Sequence, residues 1–345
     1  MPWDIMVVRI TTDTGLVSAV PVVAPRSGMV TQSYLHDNII PVIIDRSIYE
    51  REAIWHEFWN IDRHITFFPV YLPGGIDVAL WELAAKAAGL PLYKYIGAYR
   101  DKLPVYASSL FHSTTQEYID EARFYQRRGI NAYKCHPPGP WQKDMEIHQA
   151  LRDEFGPDFV LMSDPVAEYT LDEAIRVGRH MERLGYLWLE EPFRDFELYK
   201  YTQLCEALDM PIAATETTRG CHWGVAQVIN QKAADIVRAD VSWKHGITGT
   251  LKICHLAEAF GMRCEIHTST TGPLEMANLH VSCAVRNCEW FEYFVPHDVF
   301  QFPMKEPLPI DDKGWIHVPD KPGLGCELDW DAIENGCVDY KVIEV

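Results

Sequence analysis

From residue 103 onward the chain keeps a regular beat. Short apolar runs recur as "LPVYASS" (103–109), "NAYKCH" (131–136), "DFVLMSD" (158–164), "YLWLEE" (186–191), "PIAATE" (211–216), "DIVRAD" (235–240), "MRCEIH" (262–267) and "EWFEYF" (289–294), most of them ending in a polar residue. Amphipathic helical text such as "TTQEYIDEARFYQRRG" and "TLDEAIRVGRHMERLG" lies between them. Asp164, Glu190, Glu216, Asp240, His267 and Glu292 follow one another at intervals of 26, 26, 24, 27 and 25 residues. One strand, one helix and two loops need about that much chain, so the pattern is serial βα wiring of a parallel sheet. Eight repeats with no reversal predict an α/β fold, a closed (β/α)₈ or TIM barrel rather than a doubly wound open sheet. In such barrels the active site lies at the carboxyl ends of the strands, where these polar residues fall.

The flanking regions read differently. "DIMVVRITTD" alternates like an antiparallel strand and "DTG" makes its turn. "IDVALWELAAKAAG" has helical apolar spacing and ends at Gly89, with Pro91 beyond. The turn-rich tail after residue 310 leaves the beat and is expected to return to the N-terminal region. With 345 residues, 48% of them apolar, the chain can bury a large core. A formal charge of -18 with no basic block excludes a nucleic-acid binder. No stretch approaches the apolar length of a membrane span, and "MPWDIMVVRITTDTG" lacks the features of a signal peptide. Nine cysteines without metal-site spacing read as free thiols of a cytoplasmic protein.

The chemistry concentrates at the ends of three consecutive runs. Asp164, Glu190 and Glu216 close the third, fourth and fifth. Neighbouring strands lie roughly 4.8 Å apart, so three carboxylates at equal height converge and repel unless a cation sits among them. An all-carboxylate set suits a hard divalent ion, Mg²⁺ before Mn²⁺ or Ca²⁺, and disfavours zinc. Each acid could instead cap the helix that follows it, but three in succession at matched spacing favour the metal. Glu191, turned away by alternation, is read as supporting its neighbours.

Basic groups flank this set. Lys134 and His136 end the second run and point the same way. His267 ends the seventh run beside Asp240 on the sixth, and an Asp next to a His prepares a general acid/base. The second and seventh runs lie across the barrel mouth, one proton-transfer group on each side. Glu292 in the eighth run has three readings: a protonated donor to an anionic oxygen, a partner of Lys134, or a rim acid. Arg219 and His222 sit on a loop over the same mouth and are open between substrate contact and plain surface.

These residues resemble the enolase superfamily, mandelate racemase/muconate lactonizing enzyme branch. "LEEPF" (189–193) is similar to its fourth-strand motif, "ADVSWKHGITG" (239–249) to its sixth-strand segment, and "GIDVALWELAAKAAGLPLYKYIG" (75–97) to a signature near the end of its capping domain. The resemblance implies an α+β capping domain from residues 1–100, a modified TIM barrel over 101–309, and a tail, 310–345, that returns to the cap. It implies Mg²⁺ on Asp164, Glu190 and Glu216, abstraction of the proton alpha to a substrate carboxylate, and a metal-stabilised enediolate. The family's second strand usually ends Lys-x-Lys; here His136 stands in the second place. Resembling proteins also carry a strand before "MPWDIMVVRITTDTG", and Arg26 in "VVAPRSG" stays unassigned.

The expected activity is dehydration of a sugar acid, a small-molecule carboxylate partner. The Lys134/His136 side removes the proton and His267 protonates the leaving beta-hydroxyl, or His267 does both. A racemase, epimerase or cycloisomerase would share the intermediate, and a non-catalytic metal/carboxylate-binding barrel is the remaining rival. Eleven tryptophans and many apolar surface candidates favour a homo-oligomer.

Overall fold

The computed structural model describes residues 5–23, 28–65, 71–268 and 272–343; Arg26 lies outside them. Strands β1 (Ile5–Thr11) and β2 (Val17–Val23) pair antiparallel around a turn in which Leu16 N donates to Thr12 Oγ1 at 3.0 Å. Helices Arg51–Ile65 and Leu72–Ala87 pack beside them. The second helix is buried on nearly every side, which accounts for its apolar text. A side chain at Gly75 would meet Pro21 O at 2.7 Å, and one at Gly74 would meet Val241 O at the same distance. The helix is therefore wedged between β2 and the loop after the barrel's sixth strand.

The eight runs form eight parallel strands: β3 (Lys102–Ser108), β4 (Ala132–Cys135), β5 (Val160–Ser163), β6 (Leu189–Glu190), β7 (Ile212–Ala214), β8 (Ile236–Ala239), β9 (Arg263–Ile266) and β10 (Phe291–Phe294). Each pairs with the next from β3 to β9, and β10 pairs back onto β3. Between β9 and β10 side chains replace a ladder. The buried Glu265 carboxylate accepts from the backbone N–H groups of Glu289 and Trp290 at 3.2 and 3.1 Å, and Cys264 N donates to Asn287 O at 2.8 Å. Strand β11 (Trp315–His317) lies antiparallel on β3. The tail also reaches the first hundred residues, where Leu92 N donates to Gly323 O at 2.9 Å and Lys94 Nζ meets Asp320 at 2.6 Å.

Alternation explains how the barrel is filled. Tyr106, Ala132, Met162, Trp188, Ala213 and Ile236 form one buried layer, with Tyr106 and Trp188 edge to face at 5.7 Å. On all six of these strands the residue two places on is polar or charged: Ser108, Lys134, Asp164, Glu190, Thr215 and Arg238. Period-two geometry sends both to the same side, the apolar one lower and the polar one toward the mouth.

Asp77, buried on Leu72–Ala87, joins cap to barrel by accepting from Thr248 N at 2.9 Å and Thr248 Oγ1 at 2.7 Å. Burial pushes its carboxyl from 3.8 up to about 7 against those hydrogen bonds. A raised pKa stabilises the fold fully below the unfolded value and loses that contribution as pH rises through the folded one. Unfolding stability is thus expected to fall between about pH 4 and 8 through this group. Asp77→Asn, whose amide oxygen still accepts from Thr248, should flatten that slope in denaturant melts taken across the range. An unchanged slope would remove Asp77 from the account.

Candidate active site

At the mouth of the barrel, Asp164, Glu190 and Glu216 each present a carboxylate oxygen, all within 4.8 Å of one another. Their backbone settings differ. Asp164 follows β5 and accepts from Val166 N at 2.9 Å, and Glu190 ends β6. Glu216 depends on an irregular turn after β7, where Thr215 has φ +91°, rare for a β-branched residue. The turn is held because Thr215 Oγ1 accepts from Arg238 N at 2.9 Å and donates to Arg238 O at 2.8 Å. Glu191, at φ +40°, turns its carboxylate to Glu216 N at 2.9 Å. It braces the next strand's acid, and burial with the nearby Glu216 and Asp164 charges holds its own carboxyl well above the usual range.

One imidazole stands at each end of the triad. His136 Nε2 lies 3.3 Å from Asp164 Oδ2, and its ring meets those of Phe111 and Phe294 edge to face at 6.1 and 6.0 Å. His267 Nε2 lies 3.4 Å from Glu216 Oε1. His267 Nδ1 is 2.9 Å from Asp240 Oδ2, and since a carboxylate only accepts, Nδ1 carries the proton and Nε2 faces the mouth. Asp240 is fixed in turn by Ser242 N at 2.7 Å and by Asn278 Nδ2 at 3.1 Å, which also bonds His267 O. Burial would lower the His267 pKa, but Glu216 and the Asp240 hydrogen bond raise it to about 9.

Behind the triad, Lys134 Nζ lies 2.8 Å from Glu190 Oε1, 2.7 Å from Glu292 Oε1 and 3.7 Å from Asp164 Oδ2. Arg238 adds Nε at 3.0 Å from Glu190 Oε1 and an ion pair with Glu292, while Trp188 Nε1 donates to Glu190 Oε2 at 2.9 Å. Burial disfavours the Glu292 charge, but Lys134 and Arg238 outweigh it and hold the carboxyl well below its usual range. Glu292 is fully buried and paired with Lys134, so it is not a rim acid.

Arg238, Trp188, Asn278 and Tyr106 were not singled out from the sequence. Arg238 and Trp188 carried a usable signal, since each stands two residues before a candidate on its own strand. Arg219 is exposed, and the ring contacts of His222 are to Trp55 and Trp223 at 5.8 and 4.2 Å. Neither joins the residues around the triad in any described contact.

The donor set fits a divalent cation. Every donor of the triad is a carboxylate oxygen, the choice of a hard ion. Lys134 and Arg238 pair with Glu190 and Glu292, while Asp164 and Glu216 each face an imidazole.

Comparison with known proteins agrees with this geometry. Residues 117–332 match the enolase C-terminal domain-like family, and residues 3–97 match the mandelate racemase/muconate lactonizing enzyme N-terminal domain. The chain belongs to the enolase superfamily, in its mandelate racemase/muconate lactonizing enzyme branch. It is 29% identical over 331 residues to an arabinonate dehydratase of Saccharolobus solfataricus, covering 94% of this chain and 88% of the relative. An L-talarate/galactarate dehydratase of Salmonella typhimurium is 32% identical, covering 73% of this chain and 62% of its own length. A D-galactarolactone cycloisomerase of Agrobacterium fabrum is 29% identical, over 84% and 81%. Among solved structures, D-glucarate dehydratase from Agrobacterium tumefaciens complexed with magnesium superposes with TM-score 0.84 at 31% identity, covering 96% of this chain and 98% of that one.

Proposed function

We propose that this enzyme is a Mg²⁺-dependent dehydratase of a sugar acid. The observation that carries this is the convergence of Asp164, Glu190 and Glu216 within 4.8 Å, with an imidazole at either end. Mg²⁺ held by these three carboxylates would supply positive charge where negative charge grows on the substrate as its alpha proton leaves. The Lys134/His136 side takes that proton. His267, its tautomer set by Asp240, offers Nε2 to protonate the beta-hydroxyl as it departs. The dehydratases named among the relatives support dehydration as the net reaction.

The cycloisomerase relative favours a second reading, isomerisation through the same proton abstraction. A panel of mono- and diacid sugars incubated with Mg²⁺ in deuterated water separates the two. Dehydration yields a keto acid, whereas racemisation or isomerisation yields labelled material without a new carbonyl. If no member of the panel gives either product, the dehydratase reading fails.

The same reading divides the chain into a cap at 1–100, a barrel at 101–309 and a returning tail at 310–345. All nine cysteines are free thiols, which supports a reducing, cytoplasmic setting. Among the described residues no helix is long and apolar enough to cross a membrane.

A further inference from the structure

Beneath the triad lies a closed square of charge. Lys134 and Arg238 each touch both Glu190 and Glu292, and all four side chains are fully buried. Glu292 also accepts from Ser108 Oγ at 2.7 Å and from Thr268 N at 3.1 Å, and Arg238 donates to the Tyr106 hydroxyl at 3.1 Å. Each carboxylate therefore has two cations, and each cation two carboxylates.

The duplication is informative because the two cations are not equivalent. Lys134 Nζ is within 3.7 Å of Asp164 and so borders the mouth, whereas the side-chain partners of Arg238 are Glu190, Glu292 and Tyr106. A lysine that alone balanced two buried carboxylates would strand both on turning away. A guanidinium already ion-paired with both removes that obstacle. Lys134, Arg238 and the Thr268 N–H can only donate, so a protonated Glu292 would meet them donor to donor.

We propose that Arg238 is the permanent counter-ion of Glu190 and Glu292, a positioning residue that releases Lys134 to meet the carboxylate of the bound substrate. This rests on the sugar-acid reading. Glu292 then anchors two cations.

The test titrates metal-free protein with Mg²⁺ by calorimetry. It also measures steady-state kinetics on whichever of arabinonate, galactarate, mannonate and galactonate is dehydrated, or arabinonate binding to the Mg²⁺-loaded protein if none is. Arg238→Met should bind Mg²⁺ at least as tightly as the parent, because a positive charge has left a metal ligand. Its KM, or its Kd for arabinonate, should rise about tenfold or more, the scale of one hydrogen bond to a charged group, because Lys134 is pinned. Arg238→Lys, which keeps the charge, should recover much of that loss. The double variant Arg238→Met/Glu292→Gln removes one charge of each sign, covers the case in which the single variant does not fold, and should show a lower KM than Arg238→Met. A parental KM in Arg238→Met overturns the proposal. So does joint weakening of Mg²⁺ and substrate binding that neither other variant relieves. If the parent neither dehydrates any acid nor binds arabinonate, the sugar-acid reading fails, and weaker Mg²⁺ binding by Arg238→Met still refutes the counter-ion.

Discussion

Replacing His267 with asparagine is expected to lower kcat/KM on the sugar acid by about 10²–10⁴-fold, the usual contribution of a positioned proton-transfer group. The size follows from how firmly the ring is held. Asp240 fixes Nδ1 at 2.9 Å, Asn278 ties the Asp240 carboxylate to the His267 carbonyl, and Nε2 is left facing Glu216 at 3.4 Å. Asparagine keeps a side chain that can hydrogen-bond Asp240 but offers no proton-transfer group. The variant also divides the labour between the two imidazoles. If the Lys134/His136 side removes the alpha proton and His267 serves only the departing hydroxyl, the variant still exchanges that proton with deuterated water while forming little keto acid. Loss of exchange together with dehydration would show that His267 performs both transfers. Turnover equal to the parent's would sink the assignment altogether.

The second large effect concerns the metal. Metal-free protein is expected to gain stability with Mg²⁺, by about 2.7 kcal/mol at a concentration one hundred times Kd, and Glu216→Gln should lose most of that gain. Glu216 is the informative member of the triad. Glu190 is enclosed by Lys134, Arg238 and Trp188, and Asp164 by His136 and Lys134, so substituting either also disturbs an ion pair. The Glu216 side chain is 19% exposed and, among the described residues, its one ion-pair partner is His267. Differential scanning fluorimetry across a Mg²⁺ series, with a chelator as baseline, reads the result directly. A parent that does not respond, or a Glu216→Gln variant that responds as strongly, would remove the ion from the triad.

Much of this arrangement was legible in the sequence, for a simple reason. Serial βα wiring turns distance along the chain into position around a ring, so a 24–27 residue interval between acids already says that they share a rim. The pairing of Asp240 with His267 followed from the same counting. What stayed hidden depends on height within the barrel and on irregular backbone. "DIVRAD" reads as a buried strand interrupted by an arginine, and only the inward layer of Tyr106, Trp188 and Ile236 below it explains why that arginine faces two carboxylates. The left-handed turn at Thr215 has no glycine to announce it. The join between β9 and β10 is made by Glu265, which sits one residue before Ile266 in a run that looks like any other strand.

Gly246 admits no side chain, because a Cβ there would lie 2.3 Å from Asp77 Oδ2. Six residues upstream on the same loop is Asp240, the partner of His267. The piece of scaffold that orients His267 is thus clamped by a helix from outside the barrel. Anyone recombining caps and barrels among relatives to change substrate preference should transplant Leu72–Ala87 together with the 240–249 segment, as a single matched unit.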